Sequence, residues 1–144
     1  MIHTEDMLKV FAKYRGNAIV IPGRGGRHWH NISDKPERDV PLGDPAMGGH
    51  GSFGLGFALA RPNEKVILFD PEGDILMNLG ALPTIAEKAP PHFYPFMLDN
   101  GVYATAGRPP FPNPPNTSYD TSAHVPAPPP TPRPGHARPR PPPP

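Results

Sequence analysis

The chain has 144 residues, no cysteine and a formal net charge of +1, which excludes disulfides, thiolate metal sites and a cysteine nucleophile. The charge divides unevenly: residues 1–107 carry 10 Lys/Arg against 12 Asp/Glu, and residues 108–144 carry 4 Arg against 1 Asp. An acidic body is not a nucleic-acid surface, and no apolar run approaches the roughly 18 residues of a membrane span.

The first residues, Met1-Ile2-His3-Thr4-Glu5-Asp6, lack the basic and apolar regions of a signal peptide, so a cytoplasmic protein is expected. Sixteen of the 26 prolines fall between Pro109 and Pro144. Such a stretch holds no helix and cannot donate to a central sheet. The expected organisation is a packed domain over 1–107 and a disordered, Pro-rich tail over 108–144.

Thr4 reads as an N-cap, with Glu5 and Asp6 in the first turn and Leu8, Phe11 and Ala12 on one face of a helix to about Tyr14. Gly16-Asn17 stops it. Ala18-Ile19-Val20-Ile21 is a continuous apolar run, the mark of a strand buried on both faces. It empties into the basic, Gly-rich loop Pro22-Gly23-Arg24-Gly25-Gly26-Arg27-His28. Residues 31–41 are polar and loop-like. Small residues dominate from Gly43 to Gly56, and Leu55–Ala60 continues a helix that Arg61-Pro62-Asn63 ends. Strand Val66–Phe69, a helix from about Ile75 to Lys88 and strand Phe93–Leu98 follow. Strand, helix, strand, helix, strand predicts a three-layer α/β sandwich with a mainly parallel sheet. Two prolines conflict with it: Pro83 falls inside the second long helix and Pro95 inside a strand expected to be central.

The chemistry concentrates at two strand ends. Asp70-Pro71-Glu72-Gly73-Asp74 closes one apolar run and Leu98-Asp99-Asn100-Gly101-Val102 closes the next. In open α/β sheets ligands bind there. Carboxylate and amide oxygens from two such loops suit a hard divalent cation such as Mg2+ shared with a phosphate. Glu72 and Asn100 are 28 residues apart, room for one helix and one strand in a right-handed crossover. Arg24 and the amides of Gly25 and Gly26 offer further charge to a diphosphate.

These blocks resemble the diphosphate-binding domain of thiamine-diphosphate-dependent enzymes, the phosphonopyruvate and sulfopyruvate decarboxylases above all. The resemblance rests on Ala46-Met47-Gly48, on Gly54-Leu55-Gly56-Phe57-Ala58-Leu59-Ala60-Arg61-Pro62, on Ile75-Leu76-Met77-Asn78-Leu79-Gly80-Ala81-Leu82, and on Leu98 to Tyr103 with Thr105-Ala106-Gly107. It implies a thiamine-diphosphate-binding fold whose C-terminal part is incomplete here, with thiamine diphosphate and Mg2+ as cofactors. It implies Glu72, Asn100 and the carbonyl of Val102 as metal ligands. Gly73 and Asp74 would face the diphosphate, as would Gly23 and Arg24. Met47, beside Gly48, would hold the cofactor bent, and the Pro45 carbonyl would meet its pyrimidine ring. The implied activity is decarboxylation of a small 2-oxo acid. The activating Glu of the family belongs to a separate pyrimidine-binding domain, so a partner subunit is expected and the chain alone should be silent.

The family's Gly-Asp-Gly is replaced by Pro71-Glu72-Gly73, and Asp74 stands where a small residue is usual. A shifted register with Asp74 as the metal ligand stays open. His50 is the best placed of the histidines for a catalytic proton donor; His28 and His30 read as surface residues. Trp29 is either an interface residue or a loop anchor. Other readings are a degenerate or truncated copy that binds no cofactor, and a dinucleotide site on Gly49-His50-Gly51-Ser52-Phe53-Gly54 with Asp70 at the next strand end. Pro-x-x-Pro spacings near Arg133, Arg138 and Arg140 would suit an SH3-like groove.

Overall fold

The computed structural model describes residues 2–43, 47–104 and 106–110. The expectations for Pro45 and for the Pro-rich tail beyond Pro110 lie outside the described residues. The elements run α1 (Thr4–Tyr14), β1 (Ile19–Pro22), α2 (His50–Ala60), β2 (Val66–Pro71), α3 (Glu72–Met77), α4 (Ala81–Lys88) and β3 (Phe93–Leu98). Short 3-10 turns at Arg24–Gly26, Trp29–Asn31 and Pro36–Arg38 fill the long connection from β1 to α2. Among the described residues no helix is long and apolar enough to cross a membrane.

The three strands form a parallel sheet in the order β1-β2-β3, with Ile19 opposite Val66 and Val66 opposite Phe93. β2 lies between its neighbours and is buried from Val66 to Asp70. Successive side chains therefore feed two cores. Ile67 and Phe69 join Val20, Ala18, Leu8 and Trp29 on one face, with Met7, Phe11 and Ala12 of α1 packed on them. Val66 and Leu68 join Ile21, Phe93, Leu55 and Ala58 on the other, with Ile85 of α4 against them. This is the three-layer α/β arrangement the element order predicts. Phe69 meets Phe11 edge to face and Trp29 at a tilt, with ring centroids 5.1 and 5.6 Å away. Gly54 lets α2 close on the sheet, since a Cβ there would lie 3.0 Å from Phe93 Cζ.

Local details differ from expectation. Thr4 is the first helical residue and His3 precedes it as an N-cap without a side-chain bond. The helix expected from Ile75 to Lys88 is two helices. Asn78 leaves the helical region at φ −145°, ψ 56°, and its N–H bonds the Ile75 carbonyl to close α3. The break resolves the conflict at Pro83. That proline is the third residue of α4, in a first turn whose N–H groups have no intrahelical partner to lose. Pro95 pairs with Leu68 from β3, an edge strand of the described sheet, where a missing donor is tolerated.

The connection after β1 is anchored rather than loose. Trp29 is 1% exposed. Its Nε1–H donates to Asp39 Oδ1 at 2.9 Å, and the same oxygen accepts from Arg15 Nη2 at 2.9 Å. The Arg15 guanidinium lies over the Trp29 ring, 5.2 Å from its centroid, and donates to Ser33 Oγ. Asp39 forms a parallel bridge with Val20, and Val40 N–H donates to the Val20 carbonyl. Trp29 is thus a loop anchor.

Candidate functional site

Because the strands are parallel, their C-terminal ends share one edge of the sheet, and a cavity of about 420 Å3 opens there. Arg24, Gly25, Arg27 and His28 enter it from the loop after β1, and Met47 from the segment before α2. Pro71, Gly73, Asp74 and Met77 come from the end of β2 and from α3; Leu98 ends β3, and Asp99, Asn100, Val102 and Tyr103 follow it. Of the residues singled out from sequence, Arg24, Met47, Gly73, Asp74, Asn100 and Val102 meet on this wall. Gly23, Gly48, Glu72 and His50 do not line it.

Glu72 explains how the two site segments are joined. It opens α3 directly after Pro71, so the acidic stretch expected as a loop is the first turn of a helix. Carboxylates are favoured at that end of a helix. Glu72 is fully buried. Its Oε1 accepts the backbone N–H groups of Asn100 and Gly101, both at 2.6 Å. Its Oε2 has no hydrogen-bond partner. Burial raises the Glu72 carboxyl above the usual carboxylate range, and the N–H groups of Asn100 and Gly101 work against that rise. The loop braces itself as well: Asn100 Oδ1 accepts the Val102 N–H at 3.0 Å, and Gly101 takes φ +71°. Only a residue without a Cβ adopts that conformation freely.

Asp74 and His50 form a second centre. His50 is the first residue of α2 and is 2% exposed. Its Nδ1 lies 2.6 Å from Asp74 Oδ2 and 3.5 Å from Asp70 Oδ1. The expectation that His50 faces substrate therefore meets a ring turned to two buried carboxylates. Asp74 lines the cavity, but its carboxylate is buried and engaged by His50, and Arg24 Nε approaches its Oδ1 at 3.9 Å. Burial, then the charge of Asp74 and a hydrogen bond with it, push the Asp70 carboxyl up to about 8.

Two features escaped the sequence reading. Asn78 donates Nδ2–H to the Gly48 carbonyl at 2.9 Å, tying the segment before α2 to the break after α3. Gly48 takes φ +74°, and a Cβ there would lie 3.2 Å from both Asn78 Cβ and Met77 Cβ. The signal for this tie lay in the Met77-Asn78-Leu79-Gly80 block. The convergence of His50 and Asp70, 20 residues apart, had no local signal. The dinucleotide outline around Gly49 lacks its strand: among the described residues, 40–43 and 47–49 form none.

Residues 24–133 match the family described as "Thiamine pyrophosphate enzyme, C-terminal TPP binding domain". The chain belongs to this family. The sulfopyruvate decarboxylase subunit beta of Methanothermobacter thermautotrophicus is 41% identical to this thiamine pyrophosphate-family chain over 85 residues, 59% of the chain and 44% of the relative. The subunit beta of Methanococcus maripaludis is 35% identical over 104 residues, 71% of the chain and 55% of the relative. The phosphonopyruvate decarboxylase of Streptomyces viridochromogenes is 35% identical over 101 residues, 69% of the chain and 25% of the relative. The chain thus spans about half or less of the curated relatives it matches.

Set against the thiamine diphosphate and Mg2+ that the sequence resemblance implies, the residues present fit. Glu72 Oε2 is a buried oxygen without a partner, and the loop Glu72 clamps brings Asn100 and Val102 to the cavity wall. Carboxylate, amide and carbonyl oxygens are the donor set of Mg2+.

Proposed function

We propose that this thiamine pyrophosphate-family chain supplies the diphosphate-and-metal half of a 2-oxo-acid decarboxylase. A separate pyrimidine-binding subunit completes the site. The observation that carries this reading is the Glu72 clamp. One carboxylate oxygen holds the Asn100–Gly101 backbone at 2.6 Å while the other stays unpartnered. An unpaired buried carboxylate oxygen is costly unless a cation meets it.

Glu72, Asn100 and the Val102 carbonyl would hold Mg2+. Arg24 and the N–H groups at the start of α3 would take the diphosphate charge. Met47, half-exposed on the same wall, would give the cofactor an apolar support. Thiamine diphosphate, when bound, supplies an electron sink for the decarboxylation of a 2-oxo acid. Asp74 is the departure that needs an account beside a diphosphate. Its hydrogen bond to His50 and the nearby Arg24 guanidinium would offset the charge it brings beside the anion. His50 then positions Asp74 and does not itself reach the substrate. The partner reading is supported by relatives named as a subunit beta.

Calorimetric titration of thiamine diphosphate into the full chain, with Mg2+ or with chelator, tests the half-site. Heat that requires Mg2+ and is lost in Asn100→Ala is the expected result. No Mg2+-dependent heat, or binding unchanged by Asn100→Ala, overturns it. Turnover of a 2-oxo acid by the chain alone would overturn the need for a partner.

A further inference from the structure

We infer that His50, Asp70 and Asp74 form a second, buried metal site that takes a borderline transition cation of the Zn2+ class. It is distinct from the Mg2+ position at Glu72 and does not depend on the cofactor reading. One ligand atom from each residue can be chosen so that all three lie within 4.8 Å of one another. All three side chains are at least 94% buried.

Two of the oxygens lack what burial demands. Asp70 Oδ1 and Asp74 Oδ1 are buried without a hydrogen-bond partner. Metal binding requires both carboxyl groups in their deprotonated form, and one divalent cation then cancels the charge that burial penalises. Arg24 Nε, at 3.9 Å from Asp74 Oδ1, is too distant for a hydrogen bond. Gly23 packs closely over the cluster: a Cβ there would clash with the Phe69 carbonyl oxygen and lie 3.3 Å from Asp70 Oδ1 and 3.4 Å from His50 Cδ2.

The spacing suits a small tetrahedral ion. Bonds of about 2.0–2.1 Å place neighbouring tetrahedral ligands roughly 3.3 Å apart. His50 Nδ1 and Asp70 Oδ1 are already 3.5 Å apart. His50 Nδ1 and Asp74 Oδ2 are 2.6 Å apart and need to separate by about 0.7 Å to share one ion. The imidazole sets the preference: nitrogen with carboxylate oxygen favours Zn2+ or Co2+, whereas an all-oxygen set favours Mg2+.

The test uses the full, untagged chain stripped with chelator and titrated with Co2+ by visible absorption, then with Zn2+ as competitor. One equivalent of Co2+ bound in a low-coordination site and displaced by Zn2+ is expected, with affinity falling at least about tenfold in Asp70→Asn and in His50→Gln. Far-UV circular dichroism checks that each variant is folded, and either folded variant suffices. Asn100→Ala keeps Co2+ uptake even where it loses thiamine diphosphate, so the two proposals fail separately. No saturable uptake by the parent chain overturns the inference. So does uptake unchanged in both variants, which would assign the ion to exposed residues such as His30.

Discussion

Replacing Glu72 separates the two tasks assigned to its carboxylate. Glu72→Ala removes the acceptor of two backbone N–H groups held at 2.6 Å. A hydrogen bond to a charged group contributes about 1.5–3 kcal/mol net. Asn100 is exposed, so water recovers part of that for the freed N–H groups, and the expected loss is about 2–4 kcal/mol. Glu72→Gln keeps an oxygen in the place of Oε1 and puts a neutral amide where Oε2 has no partner. Because burial already penalises the charged form, the Gln variant should stay within about 1 kcal/mol of the parent or gain stability. Urea unfolding at neutral pH in chelator reads both, and calorimetry with Mg2+ and thiamine diphosphate reads the second task. The expected pattern is a stable Glu72→Gln that has lost Mg2+-dependent binding. If Gln destabilises as much as Ala, the charge itself holds the loop. If Gln binds cofactor as before, Glu72 is not the ligand.

Asp39→Ala should cost about 2–4 kcal/mol in urea unfolding, because it strips the buried Arg15 guanidinium and the Trp29 N–H of a shared acceptor. A loss below about 1 kcal/mol would mean that Ser33 and the Ala18 carbonyl suffice for Arg15. Asp70 gives a pH signature. Its folded carboxyl titrates at about 8, far above the unfolded value. The native state therefore holds the extra proton between about pH 4 and 8, and stability falls as pH rises through that window. Unfolding midpoints at pH 5 and pH 8 in chelator should show that fall, and Asp70→Asn should flatten it. An equal slope in the variant would place the titration elsewhere.

What the sequence exposes well is what periodicity and composition encode. The apolar runs Ala18–Ile21, Val66–Phe69 and Phe93–Leu98 read as strands, the structure has strands at Ile19–Pro22, Val66–Pro71 and Phe93–Leu98, and the oxygen-bearing residues after the last two do share one edge. What the sequence exposes poorly is groups that depend on distant partners. Pro83 marked a fault in the long-helix reading, but only Asn78 and its tie to Gly48 show where the chain breaks. Trp29 looked ambiguous because Asp39 and Arg15, which satisfy it, lie ten or more residues away on either side. His50 looked catalytic because it follows the Met47-Gly48 block, and nothing local announced that Asp70 and Asp74 would enclose it.

The pairing of β2 with β3 runs without a bulge from Val66–Phe93 to Pro71–Leu98, and the site begins one residue beyond that last pair. The sheet is therefore the ruler for the site. A slip of two residues would keep every side chain on its face yet carry Asn100 about 7 Å along the edge, out of reach of Glu72. The side chains that set the distance between the proposed metal ligands are thus apolar ones far from any ligand, Leu68 and Phe93 among them. Drift in that packing would change the chemistry at the edge before it changed the fold.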